Sequence, residues 1–226
     1  MREVVVIALL LASSLALRAQ NDPEYLMEIG AGVGMVSYQG DFNDNILKGM
    51  QPMGGIVLRR NINPHMALRL TGSFGKLKGN SRAVGTFFPG YQTVPYEFHC
   101  SLADVGLVYE YNFWPYGTGR DYRGAKRFSP VVFGGLGATY VSGGDKNVFT
   151  ANVPLGLGVR YKVGERLNLG VDWAVHFSLS DRLDGVEDPY YVRSKGVFKN
   201  TDCYSALQVT LTYSFMAKCQ TCNNED

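Results

Sequence analysis

The chain has 226 residues, with 22 Lys and Arg against 20 Asp and Glu. Its net charge of +2 lacks the basic excess of a nucleic-acid binder. Glycine (27) is far above the ~7% share of average proteins. Past the N-terminus no run approaches the ~18 apolar residues of a spanning helix, so a helical transporter is excluded.

Met1 and Arg2 open an apolar run from Val4 to Leu17, followed by Arg18-Ala19-Gln20-Asn21-Asp22. A charged start, a short apolar core and a small residue before a polar stretch predict a signal peptide over 1–19. Cleavage after Ala16 is the alternative. A retained signal anchor competes with this reading, but the run is shorter than a membrane span.

From here the pattern has period two, segment after segment. Met27, Ile29, Ala31, Val33 and Met35 share one face, with Gly30, Gly32 and Gly34 on the other. Ile56 and Leu58 oppose Gly55, Val57 and Arg59, and Met66, Leu68, Leu70 and Phe74 oppose Ala67, Arg69, Thr71 and Ser73. Val105, Leu107, Tyr109, Tyr111 and Phe113 oppose Asp104, Gly106, Glu110 and Asn112. A glycine-rich fifth segment, 128–141, has no clear facing. Val153, Leu155, Leu157, Val159 and Tyr161 oppose Gly156, Gly158, Arg160 and Lys162. Leu167, Leu169, Val171, Trp173, Val175 and Phe177 oppose Asn168, Gly170, Asp172 and His176. The last segment sets Leu207, Val209, Leu211, Tyr213 and Phe215 against Gln208, Thr210, Thr212 and Ser214.

About eight strands of near-spanning length, apolar on one face and small or polar on the other, predict an all-β fold. The expected architecture is a single antiparallel transmembrane β-barrel of the outer-membrane type over 20–216, with a Cys-containing tail at 217–226. A soluble sandwich or lipocalin-like barrel also alternates, but its polar face is rich in Lys and Glu. Here that face is Gly, Ser, Thr and Asn, which fit the crowded interior of a narrow barrel.

Short turns are predicted at 61–64 and 164–166, and longer loops near 39–51, 76–97 and 178–201. With both termini expected on the periplasmic side, the short turns fall on that side and the long loops outside. Tyr25, Tyr111, Phe113, Trp114, Phe128, Tyr161, Tyr213 and Phe215 fall at that interface, and Tyr38, Phe98, Tyr140, Phe177 and Tyr204 at the opposite rim, as two aromatic belts.

Arg59, Arg69, Asp104, Glu110, Arg160 and Asp172 are predicted to point into the lumen as a charge-paired plug, with a conducting pore as the competing reading. No catalytic or metal site is expected: His65 and His99 have no second ligand at a metal-like spacing, and no cofactor motif occurs. His176-Phe177-Ser178, with Asp188, superficially resembles the His-x-Ser plus acid of lipid A deacylases. Those enzymes face the pair to lipid, whereas alternation puts His176 inside.

Cys100 and Cys203 both begin strands at the predicted extracellular rim, and Cys219 and Cys222 form a C-x-x-C in the tail. The oxidising compartment permits disulfides among them. The tail pair forms a local bridge, a mixed disulfide with a periplasmic partner, or stays reduced. The turn from Tyr116 to Lys126 is longer than a periplasmic turn requires; Arg120, Arg123 and Lys126 make it a candidate docking surface, with a plain solvated loop as the alternative.

Strings along the mature chain resemble the PorG family, the barrel subunit of the type IX secretion system. They include Ser37-Tyr38-Gln39-Gly40-Asp41, Asn63-Pro64-His65-Met66-Ala67-Leu68-Arg69 and Glu110-Tyr111-Asn112-Phe113-Trp114-Pro115-Tyr116. Phe128-Ser129-Pro130-Val131-Val132-Phe133-Gly134-Gly135, Arg166-Leu167-Asn168-Leu169-Gly170, Ser180-Asp181-Arg182-Leu183-Asp184 and Asn200-Thr201-Asp202-Cys203-Tyr204-Ser205, running to Tyr213-Ser214-Phe215, continue the match in order. The resemblance implies an integral outer-membrane protein, in contact with lipid, that associates with the periplasmic ring of the lipoprotein PorK and its partner PorN. It implies no catalysis and carries over no ring-contact residues. The alternatives are a general small barrel for envelope integrity or adhesion, and the deacylase-like enzyme.

Overall fold

Each strand is built by the alternation itself: apolar side chains project to one side and small or charged ones to the other, as extended backbone requires. The structure, a computed structural model, describes residues 23–39, 49–80, 97–118, 124–143, 147–179 and 203–218. Eight strands run β1 (Tyr25–Gln39), β2 (Gln51–Asn63), β3 (Met66–Asn80), β4 (Glu97–Asn112), β5 (Phe128–Ser142), β6 (Val148–Lys162), β7 (Leu167–Ser178) and β8 (Cys203–Ala217). Each pairs antiparallel with its sequence neighbours, and β1 pairs with β8, so the sheet is a closed barrel. The predicted signal peptide and the tail cysteines lie outside the described residues.

The glycine-rich fifth segment resolves as a strand whose inner face carries Val131, Phe133 and Val141 and whose outer face carries Val132, Leu136 and Tyr140. Residues 76–80, expected in a loop, continue β3 and pair with β4. The aromatic rim also differs from expectation. Tyr38 and Tyr204 point inward and are buried, so they belong to the core of the barrel and not to a belt.

The outer surface is apolar around the ring. Ile29, Val33, Ile56, Phe74, Val105, Leu136, Phe149, Leu157 and Leu211 are all exposed there. No soluble fold leaves such a continuous surface open to water.

One end, here the turn end, carries the tight connections. The carboxamide oxygen of Asn63 accepts from the backbone N–H of His65 at 2.8 Å, an Asx-type closure of the β2–β3 turn. Val163 and Gly164 both donate to the carbonyl of Leu167, closing β6–β7.

Candidate functional site

The lumen is packed in layers from the turn end to the other. The central layer joins β1, β2, β3, β4, β6 and β7 through charge. Glu110, fully buried, accepts from Arg59 Nε at 2.7 Å, from Arg59 Nη2 and from Arg160 Nη2 at 2.8 Å. Arg69 Nε stands 2.9 Å from Glu110 as an ion pair off the hydrogen-bond direction. Asp172 takes Arg69 Nη1 and Arg160 Nη1, each at 2.5 Å, and Arg160 Nη2 at 3.0 Å. Such multi-dentate guanidinium–carboxylate contacts offset the desolvation of charges taken out of water.

The network extends beyond the residues legible in the sequence. Glu28 on β1 pairs with Arg59 Nη1 at 3.5 Å and accepts from Asn61 and Thr212 at 3.0 Å each. It shares its face with Gly30, Gly32 and Gly34, so the alternation itself was the signal that marks it. Lys162 donates to Asn168 at 3.1 Å and lies over the rings of Tyr25 and Tyr116. Inward glycines make the room: a Cβ on Gly170 would stand 2.6 Å from Thr210 Oγ1 and 2.8 Å from Arg160 Nη1.

Asp104 lies one layer further along. Its Oδ2 accepts from Thr139 at 3.0 Å, Asn152 at 2.6 Å and Tyr204 at 2.8 Å. His176 faces inward, stacks on Tyr204 with ring centroids 4.4 Å apart, and lies 4.0 Å from Asp104. Ser178 is buried on the same face of β7, and Asp188 lies outside the described residues. Beyond this layer Val36, Tyr38, Met53, Leu77, Cys100, Leu102, Val141, Tyr204 and Ala206 form one apolar cluster across the lumen.

The turn end is closed by the β4–β5 connection, which folds back into the mouth. Tyr116 is buried, donates its hydroxyl to Asn168 at 3.2 Å and stacks under Arg59 at 5.9 Å. Its backbone N–H reaches the carbonyl of Pro64, and the neighbouring N–H of Gly117 reaches that of Lys126. Burial, with Glu28 nearby, pushes the Tyr116 phenol above its ordinary value. Gly124, with φ of 72°, takes the left-handed conformation that returns the chain.

Glu24, just before β1, ties this end together. Its carboxylate accepts the Thr118 N–H at 2.8 Å, and its carbonyl accepts the Lys218 N–H at 3.1 Å. The stem of the basic turn and the start of the Cys tail therefore meet at one residue. Lys126 is exposed and lies over the ring of exposed Trp114 at 5.0 Å; Arg120, Arg123, Cys219 and Cys222 lie outside the described residues. Cys100 is buried on β4 and Cys203 half-buried on β8, with three strands between them in either direction around the barrel.

A closed eight-stranded barrel, apolar outside and filled with paired charge inside, is a small outer-membrane-type β-barrel. The chain belongs to the DUF6089 family, a domain of unknown function, which it matches over residues 2–224. No curated protein matches it.

Among solved structures it is similar to Neisserial surface protein A, at 13% identity and a TM-score of 0.50, covering 84% of this chain and 97% of that one. The outer membrane protein OprG of Pseudomonas aeruginosa is 12% identical with a TM-score of 0.49, over 88% of this chain and 99% of that one. A major outer membrane protein of Thermus thermophilus is 15% identical with a TM-score of 0.47, over 84% of this chain and 98% of that one.

Proposed function

We propose that this barrel is a structural subunit of the type IX secretion machinery, held in the outer membrane and docked through its turn end on the periplasmic PorK/PorN ring. The observation that carries this reading is the lumen. It is crossed by an arginine–carboxylate layer and closed by Tyr116 at one end and an apolar cluster at the other. Such a barrel serves as an anchor better than as a pore. The resemblance of its strand-end strings to PorG supplies the machine. The meeting of Thr118, at the stem of the basic turn, and Lys218, just before the Cys tail, on Glu24 supports a docking surface at this end. In this reading both termini are periplasmic and the chain acts by binding, without catalysis.

The test is a pull-down from outer membranes solubilised in mild detergent, with the tag inserted near Ser81–Gly85 so that the tail stays native. Co-purification of a large ring-forming lipoprotein complex is the expected result, and its loss on reduction assigns the contact to Cys219 or Cys222. Recovery of the barrel alone overturns the ring reading in favour of a general envelope or adhesion barrel.

A further inference from the structure

The lumen is not filled evenly. Between the Arg69–Asp172 layer and the apolar cluster lies a cavity of about 40 Å³. Its polar wall is made by Asp104, His176, Gln208, Thr71 and Ser73, with the Arg69–Asp172 pair at one end and Tyr204 beside His176; the remaining wall is apolar. Apart from Arg69 Nε, which is ion-paired with Glu110, two buried donor-capable atoms of its lining residues have no hydrogen-bond partner in the protein: Gln208 Nε2 and His176 Nδ1. Gln208 is itself more than nine-tenths buried. Gly32 and Gly55 leave the space its amide occupies, since a Cβ on Gly32 would stand 2.9 Å from Nε2.

Asp104 differs from the other buried acids. Glu28, Glu110 and Asp172 each meet an arginine. Asp104 has instead three neutral donors on Oδ2, while Oδ1 faces His176 at 4.0 Å, too far for a direct hydrogen bond.

We propose that this cavity is a binding site for a cluster of about three water molecules, at ~10–15 Å³ each, which joins Gln208 Nε2, His176 Nδ1 and Asp104 Oδ1. The three polar atoms offer the two to four partners that a buried water needs, and a polar separation just beyond hydrogen-bond reach is the spacing a bridging water spans. Charge selects water over an ion. Among the described residues the lumen buries four acids (Glu28, Asp104, Glu110, Asp172) and four bases (Arg59, Arg69, Arg160, Lys162). An added ion would leave one charge uncompensated in a low-dielectric interior. The cluster would complete the polar layer that holds the His176–Tyr204 stack against the apolar end.

The experiment is crystallography of the intact barrel, natively, under xenon pressure and after a rubidium soak. About three ordered solvent peaks within hydrogen-bond reach of Gln208, His176 and Asp104, with neither xenon nor rubidium in the cavity, is the expected result. Crystals of Gln208→Met should lose the peak at residue 208 and keep the one between His176 and Asp104. Xenon in the cavity, or featureless density there, would show a dry void and overturn the proposal. Rubidium in the cavity would show a cation site and overturn it equally.

Discussion

Glu110 carries more of the lumen than any other single side chain, because three guanidinium groups converge on its two oxygens. Removing one partner of a buried ionic cluster leaves charge without compensation, which costs about 3–5 kcal/mol. Glu110→Gln keeps the shape and removes the charge, so the urea midpoint of unfolding in lipid vesicles should fall sharply. An unchanged midpoint would mean that the three arginines are satisfied by Glu28 and Asp172 alone.

The alternation marked all six of the charges expected in the lumen, and the structure buries every one of them. It did not mark the apolar filling of the far end. Val36, Met53, Leu77 and Leu102 sit on the polar parity of their strands, where a pattern read as polar-inward hides them.

At the scale of elements, the β4–β5 connection is part of the barrel's packing and not only a loop. Its length looks like an insertion in sequence. Within it Tyr116 turns back from the rim to Asn168 and Arg59. Because burial raises the Tyr116 phenol above its ordinary value of 10.0, the folded state keeps the proton where the unfolded chain loses it. The stability from this group is complete below that value and drains away as pH climbs past it. Tyr116→Phe should therefore flatten the alkaline limb of the stability curve, and should cost about 1 kcal/mol at neutral pH through the lost hydrogen bond. Parallel alkaline limbs in wild type and variant would show that the phenol ionises as freely folded as unfolded.

Of the elements, β5 was the least legible. Gly134, Gly135 and Gly137 fall on both parities and erase the contrast between faces. Its facing is set by its neighbours: Gly135 opposes Val108 and Leu136 opposes Leu107 in the β4 ladder. Tyr38 and Tyr204 misled for the opposite reason. Aromatics near a strand end fit a membrane belt, but only parity tells which side of the wall they occupy.

For the molecule as a whole, the outer face demands a hydrocarbon solvent. Leu136 lies near the middle of β5 and is 71% exposed. Leu136→Arg should cost about 2–4 kcal/mol if that position faces the bilayer midplane. The same substitution at Val163, in the turn after β6, should be close to neutral. Folding titrations of both variants in vesicles check the pair, and equal costs at the two sites would sink the embedded orientation. The barrel itself was readable because closing the sheet makes every strand obey the same two-sided rule. The proposed docking residues follow no such rule, because they lie on connections that no periodicity governs.

The pairing of β1 with β8, from Tyr25–Ala217 at one end to Gln39–Cys203 at the other, also bears on biogenesis. The first strand made waits for the last one before its edge is satisfied, so no stretch that stops short of β8 yields a sealed cylinder. A translocating chain must be kept from aggregating until Phe215 has arrived. Any premature stop before Cys203 leaves β1 and β7 with bare edges that lipid cannot hydrogen-bond, and a quality-control protease would meet an open sheet in place of a membrane protein.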